Sequence, residues 1–233
     1  LVEDESNDIS QSILDEVGVM GPKRNIENEI AILSSRSMME RALSTQDLNV
    51  TYAVDLGLKT RDLYATLPFK LDYLASETAV QIFNMDVAVA EGGNLAEVTF
   101  SYVMPHTTDD IEFVEEIAFG EDFSNPLGHF RFTKTPLFDE MVLSDTALSR
   151  DYELTVQSTD FLTTAYLENL KVEEAREKAS ILRLTLEEKI PERGVDVLTA
   201  LLDVYVQDNI EKKNQLASNA LKFIDSQLEV ITV

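Results

Sequence analysis

From Val195 to Val233 the chain contains neither Gly nor Pro. These are the residues that most often end a helix, so nothing local stops one across this stretch. Apolar residues recur there at helical spacing. Val195, Leu198, Leu202, Tyr205 and Ile210 form one stripe, which Leu216, Ala220, Phe223, Ile224, Leu228 and Ile231 extend. Pro191 suits the first helical position, where a missing N–H costs nothing. The pattern predicts one nearly continuous helix from Pro191 to Ile231, and an unbroken run from Val195 to the end is roughly 55–60 Å long. That exceeds an ordinary globular helix. Part of it must stand clear of a small domain or pack against another chain.

The rest of the chain has mixed periodicity. After an acidic lead-in punctuated by Gly18 and Gly21-Pro22, a helix is expected from near Asn25 to Leu43. Ile26, Ile30, Leu33, Met38 and Leu43 lie on its apolar side. Glu27 and Glu29 fall early in it, and Arg36 and Arg41 late, the order the helix dipole favours. From Leu48 the period switches to two. Leu48, Val50, Tyr52, Val54 and Leu56 alternate with smaller or polar residues, as on a half-buried strand. Phe69–Tyr73 alternates likewise. Phe83–Val89 and Ala96–Met104 do so on either side of Glu91-Gly92-Gly93-Asn94, a hairpin signal. Phe130 with Phe132, then Tyr152 to Val156, add short strands, leaving 105–128 and 134–150 irregular. A helix over Asp160–Leu170 and a strand through Leu182, Leu184 and Leu186 precede Pro191. The expected fold is therefore α+β: a helix–sheet base domain from 1–45 and 158–233, ending in a long C-terminal helix, with a β-rich antiparallel insertion at 46–157.

Charge and chemistry narrow the function. The 233 residues carry 43 acidic and 19 basic side chains, a net charge of −24. Such a surface repels phosphate backbones and anionic lipid headgroups, which argues against a nucleic-acid or peripheral-membrane binder. The absence of Cys removes disulfides, thiol catalysis and zinc–cysteine sites. The two histidines stand apart. His106 lies in Pro105-His106-Thr107-Thr108-Asp109-Asp110, which reads as a solvated turn, and His129 lies at a strand edge before Phe130. The acidic clusters, Glu3 to Asp8, Asp109-Asp110, Glu115-Glu116 and Glu187-Glu188, lack the spacing and central Gly of a calcium loop. No phosphate-binding glycine motif and no G-x-S-x-G elbow occurs. Neither catalytic residues nor a cofactor or metal is expected. Residue 1 is Leu, and no apolar run approaches the roughly 18–20 residues that cross a bilayer. A soluble piece of something longer is expected.

Two segments carry a resemblance. Asn25-Ile-Glu-Asn-Glu-Ile-Ala-Ile-Leu-Ser-Ser-Arg-Ser-Met-Met-Glu-Arg-Ala-Leu43 resembles the first periplasmic helix of polysaccharide chain-length determinants, the Wzz-type co-polymerases. The pattern there is N-E-I-x-I-L-x-S-R-x-[LM]. Residues 179–231, from Ile181-Leu-Arg-Leu-Thr-Leu186 through Pro191-Glu-Arg-Gly-Val-Asp-Val-Leu198 to Lys222-Phe-Ile-Asp-Ser-Gln-Leu228, are similar to the strand and long helix that follow in that family. They look most like Bacteroides-type members that carry a cytoplasmic tyrosine autokinase, the Wzc-like architecture. The β-rich middle matches no motif and would be an insertion in the base domain.

The resemblance implies a periplasmic region of an inner-membrane protein that forms homo-oligomeric rings. It would set the length of capsular, exopolysaccharide or O-antigen chains together with a polymerase and an outer-membrane export channel, with the nascent polysaccharide as a further partner. Leu1-Val2-Glu3 would then end the first base-domain strand. A second membrane helix and any kinase domain would lie beyond Val233, so kinase activity would not belong to these residues. Within rings, Arg36 and Arg41 on the first helix could face Glu211, Asp225 and Glu229 of a neighbour. Alternatively, the arginines pair with Glu29, Glu40 or the carbonyls of their own helix. Two competing classes remain: an extracytoplasmic binding or adhesion module with a β-domain and helical stalk, and a sugar-processing enzyme, which needs facing carboxylates between aromatic walls.

Overall fold

The computed structural model describes residues 22–75, 80–104, 109–144, 150–176 and 181–231. The acidic lead-in, with Gly18 and Gly21, and the segment carrying His106 lie outside them. The fold is mixed α+β, with antiparallel sheets, several helices and a long C-terminal helix. It divides into two compact units, one formed by 46–165 with 190–193, the other by 1–45, 166–189 and 194–233.

In the second of these, the expected single helix over 25–43 is two: α1 (Pro22–Leu33) and α2 (Arg36–Leu43). The break falls at Ser34-Ser35. The Ser35 backbone is extended, and its hydroxyl accepts from the Met38 N–H at 3.3 Å, so it caps α2. A serine hydroxyl that satisfies an orphan N–H competes with continuation of the helix, which is why two serines in a row part it. Leu33, Met38, Met39, Ala42 and Leu43 are buried. Two strands belong to the same unit: β10 (Leu170–Glu174) and β11 (Leu182–Leu186), paired antiparallel from Leu170 opposite Leu186 to Glu174 opposite Leu182. Helix α4 runs Pro191–Ile231 without a break.

Among the described residues, the other unit holds nine strands in two sheets. The larger takes the order β2 (Thr60–Leu63), β1 (Val50–Asp55), β9 (Asp151–Gln157), β4 (Ile82–Val89), β5 (Leu95–Val103), β6 (Asp110–Ala118). The smaller takes the order β3 (Phe69–Ala75), β8 (Gly128–Lys134), β7 (Asp122–Asn125). Strands β6 and β7 therefore occupy part of the stretch expected to be irregular, and a wide turn of π-helix at Asp139–Leu143 occupies part of the other. The β4–β5 hairpin closes at Gly92 and Gly93, both with positive φ, and an added Cβ on Gly93 would lie 2.7 Å from the Phe138 ring. The unit also contributes most of helix α3 (Thr159–Asn169), entered from β9 through Ser158.

The two sheets face one another across an aromatic core. Every second residue of β4 is buried (Phe83, Met85, Val87 and Val89), as are Ala96, Val98 and Phe100 of β5. From the small sheet, Phe69, Phe130 and Phe132 meet them. The Phe69 ring lies 5.2 Å from Tyr152 and 6.3 Å from Tyr52, both on the large sheet, in edge-to-face contact. A buried polar tie joins the layers in the core: the Leu71 N–H on edge strand β3 donates to the Tyr52 hydroxyl at 2.9 Å. Burial pushes the Tyr52 hydroxyl up to about 12. Tyr52→Phe keeps the ring but strands the Leu71 N–H in the core. The expected cost is about 1–3 kcal/mol, the penalty for an unsatisfied buried donor. Urea unfolding of the variant checks this, and an unchanged midpoint would mean the tie contributes nothing.

Candidate functional site

Helix α4 has two apolar sides, and they have different fates. At 100° per residue, Val197, Ala200 and Leu201 share one face, and all three are buried. Val195, Leu202, Val206 and Ile210 turn roughly the opposite way and are exposed, at 62%, 43%, 53% and 47%. Further along, Leu216, Leu221 and Ile224 are exposed as well, and the charged Lys213 interrupts the stripe. A helix with one buried stripe and polar residues elsewhere needs no partner. A second apolar stripe in water is an unmet association energy. No helix among the described residues is long and apolar enough to cross a membrane.

The charged residues expected to meet a neighbouring protomer have the following places. Arg41, at the end of α2, donates from Nη1 to Asp208 Oδ1 on α4 at 2.9 Å, and Lys212 Nζ reaches the other oxygen at 2.7 Å. These two cations hold the Asp208 carboxyl below its usual range, Lys212 more than Arg41. Glu29 on α1 accepts from the Tyr205 hydroxyl of α4 at 2.5 Å. Burial, followed by that carboxylate, raises the Tyr205 hydroxyl above its ordinary value. Arg36 opens α2. Glu211 accepts from the Gln207 amide at 2.9 Å within α4. Asp225 and Glu229 lie on α4, but their side chains lie outside the described ones. The Arg41–Asp208 contact joins residues 167 apart in sequence, and no local spacing could have signalled it.

On the β unit, His129 sits on β8 with Nδ1 2.6 Å from Ser124 Oγ, its exposed cross-strand partner. Arg131 beside it makes a two-pronged contact to Asp122 at 2.8 and 2.6 Å. The outer face of the large sheet collects carboxylates. Asp86 stands directly opposite Glu153, and Glu97 directly opposite Glu116. A shallow depression of about 340 Å³ there is lined by Asp55, Asp86, Glu97, Asp151 and Glu153, with no basic side chain in its wall. Tyr152 is the aromatic residue beside it. Its ring is turned into the core and 2% exposed, so it offers no stacking surface. No family model matches the chain, and no curated protein is significantly similar to it.

Like charges facing across a ladder destabilise it. Partial burial, then the charges of Glu112 and Asp55, raise the Asp86 carboxyl above its ordinary value. A carboxyl whose folded value lies above its unfolded one binds its proton more tightly when folded, so stability rises as pH falls towards that folded value. The β unit should therefore melt higher at a pH of about 5 than at 7, just above the ordinary carboxylate range. Below about pH 4 the trend reverses as Asp122 of the same unit, held low by its hydrogen bonds from Arg131, is protonated and that ion pair is lost. Asp86→Asn should raise the melting temperature at pH 7 and flatten its rise on acidification. Calorimetry across this range checks both, and a lower melting point for the variant would contradict the account.

Proposed function

We propose that the chain is the periplasmic scaffold region of an inner-membrane polysaccharide co-polymerase. In this reading it assembles with copies of itself and regulates the chain length and export of a capsular, exopolysaccharide or O-antigen polymer. The observation that carries the reading is the second apolar stripe of α4, exposed at Leu202, Val206 and Ile210 on a helix whose opposite face is already buried. A helix built this way supports lateral association, and the segments at Asn25–Leu43 and 179–231 are those that resemble the chain-length determinants. The polymerase and the outer-membrane channel are the partners this function requires. The scaffold acts by placing them and needs no catalytic group of its own. A net charge of −24 keeps protomers apart unless an apolar contact outweighs the repulsion, so assembly depends on the stripe and on the membrane anchors together.

Because Arg41 is held by Asp208 within the chain, the stripe is a cleaner test of assembly than the arginines. Val206→Asp with Ile210→Asp in the full-length protein should disperse the oligomer and shift the length distribution of the polysaccharide on a gel. The isolated chain should keep its melting temperature within about 2 °C, since exposed positions change stability little. An unchanged length distribution would count against the co-polymerase reading. It would favour the binding or adhesion module, for which the two-sheet β unit is the supporting feature.

A further inference from the structure

The two sheets of the β unit enclose an open cleft of about 300 Å³ at one end. Its apolar wall comes from both layers: the part-exposed Val50 of the large sheet, Tyr73 of the small one and Val80 present the accessible surface, above the buried Phe83, Val156 and Leu71. Val50 and Phe83 both pair with Val156, so these three form the last inward-facing row of β1, β9 and β4. The rim is polar, with Asp47, Asn49, Gln81 and Gln157. Its backbone is pinned: the Gln157 N–H donates to the Asn49 carbonyl and the Ser158 N–H to the Gln81 carbonyl, each at 2.8 Å. The Asn49 amide donates to the Gln157 carbonyl at 2.8 Å and to the Thr159 hydroxyl at 3.3 Å, which leaves its own oxygen as an acceptor. Among the described residues, no hydrogen bond uses the Asp47 carboxylate or the Gln81 and Gln157 side-chain amides.

We propose that this cleft is a binding site for an uncharged sugar unit. A pre-formed concavity of this size, apolar inside and fringed by a few polar groups, has the form of a small-molecule site at the lower end of the size range. The rim selects the ligand. An anion is disfavoured by Asp47 and by the charge of the whole chain. Vicinal hydroxyls both donate and accept, which suits a carboxylate beside planar amides, and the C–H face of the ring suits the aliphatic and aromatic wall. The choice of a sugar rests on the polysaccharide reading above, whereas the cleft itself does not.

The purified 233-residue chain, titrated with maltose, cellobiose, lactose or N,N′-diacetylchitobiose and followed by amide chemical shifts, tests the proposal. At least one disaccharide should give saturable shifts confined to residues around Asn49, Gln81 and Gln157. Asp47→Ala and Gln157→Ala should each weaken binding about tenfold, the loss of one good hydrogen bond, at wild-type melting temperature. No saturable shift with any of these sugars, or equal shifts in both variants, would overturn the site. Saturation by tetramethylammonium chloride alone would overturn it too, assigning the cleft to a cation. Since the chain-length assay uses α4 residues in cells, failure here and failure of the scaffold reading are separate results.

Discussion

The contact between the two sheets of the β unit governs the rest of that unit. The chain has no disulfide to hold the layers, so they are joined by apolar area, above all by Phe69. That ring touches Tyr52 and Tyr152 on one layer and Phe132 on the other, and Phe119 closes its edge. Aromatic pairs add roughly 0.5–1.5 kcal/mol beyond the area they bury. Because the inner faces are apolar apart from Glu115 on edge strand β6, an acidic chain has to place its other strand carboxylates outward. The crowded Asp86–Glu153 and Glu97–Glu116 pairs are the consequence. The cleft has the same origin, since it opens between the layers past the last inward row of the large sheet.

How much of this the sequence discloses depends on how completely each element is buried. Strands β4, β5 and β9 sit in the middle of a sheet, so every inward position must be apolar and the alternation is plain. Edge strands are freer. In β6 the inward phase runs Ile111, Phe113, Glu115, Ile117, and Glu115 is tolerated because a half-covered edge leaves it access to solvent and to the Asn125 amide at 3.5 Å. Strand β7 offers one aromatic residue, Phe123, and β2 is exposed except for Leu63. Strand β10 was masked by its neighbour: Leu170 continues the helical spacing of Tyr166 and reads as the end of α3. The Ser34-Ser35 break was legible in principle from two cap-forming residues in a row. The long helix was fully legible, since propensity, Pro191 at its start and the absence of breakers all agree.

The candidate sites were much less legible, for a physical reason. The cleft draws on residues from Asp47 to Gln157, brought together by strand pairing alone. No motif precedes it because its groups share no loop or turn. The pairing of Arg41 with Asp208 and of Glu29 with Tyr205 likewise arises from two helices meeting far apart in sequence. The exposed stripe of α4 was different. Its residues were visible from the start, yet only burial separates the face already used, at Val197 and Leu201, from the face still open.

Where α4 is held bears on how it would transmit force. Tyr205 and Asp208 tie it to α1 and α2, whereas residues 211–222 are exposed on all sides. Beyond this clamp the helix continues to Ile231 as a rod of about 30 Å at 1.5 Å per residue. A stiff rod fixed near one end is a lever. A tilt of about 10° at the clamp carries the far end through about 5 Å, close to the rise of one helical turn. Small changes where Arg41 grips Asp208 would therefore emerge at the tip as displacements the size of a side chain.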